Sequence, residues 1–175
     1  LTIDNSTINA KTMGVQVCAG SLSINAGSAI TVSGDPVVKT ENDGAIQDGA
    51  AISIVNRTGY KGFGKIEVTG GTFTAKGSNA AIKAYDWANN TAADFTANDN
   101  VAVSGGTFSS AVPKDLCAEG YVPTENEDGT FGVQEYKPIE VWTGYSGTMV
   151  ASYATIKDAV TNLGGNKWIV IGKNY

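Results

Sequence analysis

Apolar and polar residues alternate at period two along most of the first 110 positions. Gly14-Val15-Gln16-Val17-Cys18, Ala51-Ile52-Ser53-Ile54-Val55 and Ala81-Ile82-Lys83-Ala84-Tyr85 superpose by pattern. Each predicts a strand with one buried face. The inward positions are then Val15, Ile52 and Ile82 in one row and Val17, Ile54 and Ala84 in the next. A second pattern lies between these copies. Ile66-Glu67-Val68-Thr69-Gly70-Gly71-Thr72-Phe73-Thr74 repeats 35 residues later as Val101-Ala102-Val103-Ser104-Gly105-Gly106-Thr107-Phe108-Ser109. Leu1-Thr2-Ile3-Asp4-Asn5 and Leu22-Ser23-Ile24-Asn25-Ala26 are weaker copies, and Leu1 to Ala10 reads as one strand. Ile3, Ile24, Val68 and Val103 should face inward together, with Phe73 stacked on Phe108.

Repeats that start at 1, 22, 66 and 101 and hold two or more short strands but no helix cannot bury an apolar face singly. They must stack on their neighbours. The irregular spacing fits an all-β, right-handed parallel β-helix of about four irregular coils, in which strands keep register while corner loops vary. The Gly-Gly pair permits the sharp corner, because glycine accepts positive φ. The competing architecture is a β-sandwich, which does not call for a repeated nine-residue motif.

The repeat stops after Ser110. Pro113 to Glu119 suits one helical turn with Gly120 just past it. Asp128-Gly129 between Tyr121–Thr124 and Thr130–Gln134 predicts a hairpin. Beyond it the pattern changes. Tyr153, Ile156, Val160 and Leu163 share one face at helical spacing. Thr155 with Asp158 marks the helix start, and Gly164-Gly165 its end. Trp168-Ile169-Val170-Ile171 then reads as a short, fully buried strand. The expected division is 1–134, β-helix and hairpin, and 135–175, a small α+β strand-helix-strand segment that is cap-like.

The strings at 68–75 (VTGGTFTA) and 103–110 (VSGGTFSS), followed by CAEGYVPTENEDGTFGVQ at 117–134, resemble the terminal coils of pectin-lyase-like β-helix repeat proteins of bacterial cell surfaces. The resemblance spans roughly residues 1–134 and implies the fold and an extracellular setting, on the cell surface or secreted, but no particular activity. The later helix-then-strand segment is similar to the piece that begins, and caps, many such β-helices. Here it comes last.

Composition narrows the chemistry. The 175 residues hold no histidine, which excludes Ser-His-Asp and Cys-His triads and histidine-ligated metals. Two cysteines cannot build a cysteine-rich metal site. Cys18 and Cys117 lie in the first coil and after the fourth, at least three strand spacings of ~4.8 Å apart, beyond disulfide reach. Cys18 should pack as a small apolar residue beside Val55. Lys plus Arg number 12 against 17 Asp plus Glu, for a net charge of −5, and Arg57 is the single arginine. That balance disfavours nucleic acid and anionic membrane as partners. No apolar run approaches the ~18 residues of a membrane span. Nor does the start, at Leu1, read as a signal peptide, so the expectation is a processed chain or an excerpt of a longer one.

On the enzymatic side, the resemblance implies an arginine base with carboxylate-bound calcium for pectate lyases, and aspartate clusters for polygalacturonases. Arg57, Asp86, Asp94 and Asp99 are the residues to weigh, and no tight carboxylate pair stands out among them. The acidic turn of Glu125, Glu127 and Asp128 invites a calcium reading but lacks regular calcium-loop spacing, and a solvated turn is the favoured reading. Asn5, Asn56 and Asn89 sit in Asn-x-Ser/Thr sequons, a weak signal alone.

On the binding side, Arg57, Tyr60, Phe63, Tyr85 and Trp87 fall in loops that should stack on one side of the coils, with Arg57 opposite Trp87. Aromatics beside polar groups suit a glycan or protein surface, and an arginine over a tryptophan adds a cation–π contact. Alternatively they fold back to cover the corner.

The expected function is therefore a non-enzymatic extracellular structural or adhesive surface protein without cofactor or metal; the alternative is a pectate-lyase-like, polysaccharide-active enzyme fragment. Partners would be extracellular glycans or proteins, or the chain itself. A β-helix ends in unpaired backbone edges that template strand pairing. Head-to-tail assembly into a filament would join Leu1, Ile3 and Ile8 of one copy to Trp168, Ile169, Val170 and Ile171 of another.

Overall fold

The structure, a computed structural model, describes residues 1–37, 47–57, 60, 62–87, 93–94, 100–144, 147–165 and 167–171. The side chains of 56, 57, 63, 85–87, 93 and 94 lie outside that description. The chain is all-β in character, with one short helix, and divides into two compact units, Leu1–Gln134 and Glu135–Tyr175. No helix among the described residues is long and apolar enough to cross a membrane.

In the first unit the chain runs through three sheets in rotation. The first pass gives β1 (Thr2–Ile3), β2 (Thr7–Ala10) and β3 (Val15–Val17); the second gives β4 (Gly20–Ile24), β5 (Ala29–Val32) and β6 (Ile52–Arg57). The third gives β7 (Phe63–Val68), β8 (Thr72–Thr74) and β9 (Ile82–Trp87). After β10 (Ala93–Asp94) come β11 (Val101–Val103) and β12 (Thr107–Phe108). Strands β1, β4, β7 and β11 form the first sheet, β2, β5, β8 and β12 lie side by side in the second, and β3, β6 and β9 in the third. All these neighbours pair in parallel.

The registers stack like on like. Ile3, Ile24, Val68 and Val103 form one row of the first sheet. Ile8, Ile30, Phe73 and Phe108 form a row of the second. Val15, Ile52 and Ile82, with Val17, Ile54 and Ala84, fill the third. These rows meet in one core, where Ile24, Ile30, Ile52, Ile66, Phe73 and Phe108 are fully buried. Each such side chain contributes about 1.5–3 kcal/mol relative to exposure. The Phe73 and Phe108 rings stack with centroids 4.8 Å apart.

The Gly-Gly corner uses its two glycines differently. Gly71 and Gly106 both adopt φ 110°, open to glycine and strained for other residues. Gly70 answers to space: a Cβ there would lie 2.9 Å from Ala26 Cα, and one at Gly105 would strike the Thr69 carbonyl. Corner and strand therefore repeat together. In the first pass the corner is Asn5, at φ 43°, which splits the segment read as one strand into β1 and β2.

Sequence beyond Phe108 ends the pattern. The Ser109 and Ser110 hydroxyls accept from the Ala75 and Ala81 amides at 2.9 and 2.8 Å, occupying donors that a further strand would use. A 3-10 turn at Lys114–Leu116 buries Leu116, and Cys117 bridges Val103 as a last rung on the first sheet. The hairpin of β13 (Tyr121–Glu125) and β14 (Phe131–Glu135) extends the second sheet, with Phe131 antiparallel to Phe108.

The second unit is a three-stranded antiparallel sheet. Its centre is β15 (Ile139–Trp142), flanked by β16 (Met149–Tyr153) and β17 (Trp168–Ile171). Helix α1 (Ile156–Thr161) is capped as its sequence requires, the Thr155 hydroxyl accepting from the Asp158 amide at 3.1 Å. Two expectations fail here. The helix does not bury Tyr153, Ile156, Val160 and Leu163: Tyr153 closes β16, the other three are exposed, and Ala159 packs on Ile139 and Val141 instead. The helix starts after Thr155 as expected, but the sheet claims Tyr153 and the helix turns a different face inward. Nor is β17 fully buried. It is an edge strand, and only Ile169 joins the core while Trp168, Val170 and Ile171 are exposed. One face of the sheet is covered, so alternate residues remain outside.

Phe108→Ala should cost ~3–5 kcal/mol, read as a lower urea midpoint of the first unit by far-UV circular dichroism. Gly129→Ala, at φ 79° with open space around it, should cost only about 1–2 kcal/mol. Gly106→Ala should exceed it, since its Cβ would also press within 2.9 Å of the Phe73 ring.

Candidate functional site

Three regions carry the residues singled out in the sequence. The first is the aromatic corner. Strand register sets Val55 beside Tyr85, Asn56 beside Asp86 and Arg57 beside Trp87, so these positions are neighbours on the third sheet. Strand β10 adds antiparallel to β9, bringing Asp94 opposite Tyr85. Phe63 opens β7 opposite Gly20, on the first sheet rather than the third. Tyr60 is exposed. The side chains of Arg57, Phe63, Tyr85 and Trp87 lie outside the described residues, as does Asp99.

The second region is the outer side of the first pass. Leu1 and Ile3 carbonyls accept from Ser23 and Asn25, and Ser6 and Ala10 carbonyls from Ala29 and Ser33. Parallel ladders alternate their direction along the strand. The backbone groups of Thr2, Thr7 and Asn9 therefore point away from the second pass, and no strand among the described residues pairs with them. Leu1 is exposed, Ile3 is buried at 6% and Ile8 packs partly on the core. Ile3 therefore offers neither side chain nor backbone at this edge, since its carbonyl is taken by Asn25, and Thr2 presents the outward backbone instead.

The third region is a cleft of about 320 Å³ in the second unit, lined by Trp142, Gly144, Trp168 and Val170. Trp142 pairs directly with Trp168, and Glu140 with Val170, across β15 and β17. These four share the sheet face opposite α1. Trp142 Nε1 donates to Glu140 Oε2 at 2.9 Å. Sequence reasoning named Trp168 and Val170 for assembly but missed Trp142 and Glu140, although Ile139-Glu140-Val141-Trp142 carries the same period-two signal as the other strands.

The remaining ionisable groups have structural employment. Asp128 Oδ1 accepts from the Thr130 hydroxyl at 2.6 Å and the Thr130 amide at 3.0 Å, which holds its carboxyl below the usual range and closes the hairpin turn. Buried Asp48 accepts from the Ala50 amide and the Ser53 hydroxyl. No group of three metal-ligating side chains occurs among the described residues. Cys18 and Cys117 are not joined by a disulfide, and burial pushes the Cys117 thiol up, partly offset by Lys114. The sequence matches no protein-family model, and comparison with curated proteins and with solved structures found no match.

Thr130→Val should raise the Asp128 pKa toward that of an ordinary aspartate, followed by carboxyl NMR titration. Because the hydrogen bonds lower the folded-state value, their stabilisation is present at neutral pH and disappears as pH falls through that value. The variant should therefore lose stability at neutral pH and less in acid.

Proposed function

We propose that residues 1–134 form a right-handed parallel β-helix of the pectin-lyase-like kind and act as a non-enzymatic structural and adhesive element outside a bacterial cell, on its surface or secreted. The observation that carries this reading is the rotation of the first three passes through the same three sheets with parallel partners, followed by a fourth pass through two of them. Continuous ladders of this kind resist bending and place successive loops at fixed intervals, which suits a spacer or display surface. The aromatic corner around Arg57, Tyr60, Tyr85 and Trp87 is the part offered to extracellular glycans or proteins.

The same body lengthens by head-to-tail contact. The open side of Leu1–Ile8 presents backbone donors and acceptors, and β17 presents the edge of a second sheet through Trp168–Ile171. Joining them covers both edges, and a head-to-tail contact of this kind that does not close by rotation makes a filament. The alternative reading is a pectate-lyase-like enzyme acting on polysaccharide. It is supported by Arg57 standing next to an acidic register position, Asn56 with Asp86. Calcium-dependent cleavage of an acidic polysaccharide, lost on Arg57→Lys, would favour that reading.

Asn9→Pro tests the assembly, because it removes an outward-facing donor from β2 without touching the ladder to β5. The intact chain should associate with rising concentration in sedimentation velocity, and the variant should stay monomeric with an unchanged circular dichroism spectrum. A wild-type chain that remains monomeric at high concentration overturns the filament.

A further inference from the structure

We propose that the cleft between Trp142 and Trp168 binds a neutral pyranose ring. The two indoles stand at directly paired positions of adjacent antiparallel strands, where Cβ atoms lie about 4.5–5.5 Å apart. Helix α1 covers the other face of the sheet through Ala159 on Ile139 and Val141, with Ile169. The indoles therefore share the face that α1 does not cover, and Trp168 is 55% exposed. Exposing so large an aromatic surface is costly, and a concave aromatic site is where ligands dock. At about 320 Å³ the cleft lies at the small end of ligand pockets, a size for one ring rather than an extended chain. Gly144 keeps the rim open, since a Cβ there would meet nothing within 4 Å.

The polar chemistry selects the ligand. Indole faces are electron-rich and attract the polarised C–H groups on one side of a sugar ring. Trp142 Nε1 is already committed to Glu140 Oε2, so its N–H is not offered outward. Glu140 beside it offers carboxyl oxygens as acceptors. A ligand must therefore bring donors, and sugar hydroxyls do. A proline-rich strand brings carbonyl acceptors and lacks proline N–H groups, so it suits this cleft poorly. An acidic sugar would meet the like charge of Glu140.

The site lies wholly within Glu135–Tyr175 and is independent of the first-pass edge. Strand pairing along β17 would engage its backbone, whereas a sugar engages ring faces. The chain has three tryptophans, and the Trp87 signal reports the aromatic corner of the first unit separately. The intact protein is titrated with the methyl glycosides of glucose, galactose and N-acetylglucosamine while the indole N–H resonances are followed by NMR. The expected result is saturable shifts of the Trp142 and Trp168 signals with at least one glycoside, whether or not Trp87 responds. Glu140→Gln, which keeps the size of the side chain, should weaken that binding about tenfold, the loss of one hydrogen bond to a charged acceptor. Trp142→Ala should abolish it while the methyl resonances of Ala159 and Ile139 stay in place. Absence of saturable shifts up to the solubility limit of all three sugars overturns the proposal. So does a response to a proline-rich peptide alone, or shifts that follow protein concentration rather than sugar.

Discussion

Everything in the first unit depends on backbone pairing between equivalent positions of successive passes. A parallel ladder holds neighbouring strands about 4.8 Å apart, and in-register pairing puts each inward side chain against its own equivalent. The Phe73–Phe108 contact, at 4.8 Å between centroids, is that spacing expressed in side chains. The core is therefore a set of columns, and a column is filled only if the same position is apolar every time. A slip by one residue would turn Ile30, Phe73 and Phe108 outward together. Register is thus fixed by several buried side chains at once, and the glycine corners preserve it from pass to pass.

The ends follow from the same constraint. A column cannot stop without leaving apolar side chains and backbone donors bare. After Phe108 the chain resolves both problems locally. Leu116 and Val112 cover the apolar side, the Ser109 and Ser110 hydroxyls take up amides of the previous pass, and β14 meets β12 antiparallel. On the outer side of the first pass no strand among the described residues pairs with β1 or β2. The second unit solves burial in another way, with a helix over one face of a small sheet, and its other face carries the paired indoles.

Much of the first unit was legible because its signal is redundant. Val15, Ile52 and Ile82 align by pattern, and the register joins the same three residues. The nonapeptide repeat foretold the Phe73–Phe108 stack for the same reason. The middle strands of the first two passes were harder to read. Thr7–Ala10 was merged with the strand before it, because the corner there is Asn5 rather than a glycine pair. In the second unit the sequence pattern was ambiguous between periods. Tyr153 satisfies both a strand ending at 153 and a helix face beginning there, and pairing with Ile139 decided for the strand. The paired tryptophans were invisible for a different reason. Trp142 and Trp168 are 26 positions apart in sequence and become neighbours only through the pairing of β15 with β17, which the period-two pattern of each strand does not specify.

The two nearly identical nonapeptides have a consequence for how such a chain changes length over generations. Segments 66–74 and 101–109 occupy the same place in successive passes, residue opposite residue. An unequal exchange between the coding stretches for these segments inserts or deletes one whole pass. Every inward position stays inward, and the terminating serines still follow the last phenylalanine. Each whole step would add one strand to the first and second sheets and bring a second copy of β9 to the edge that β10 now holds.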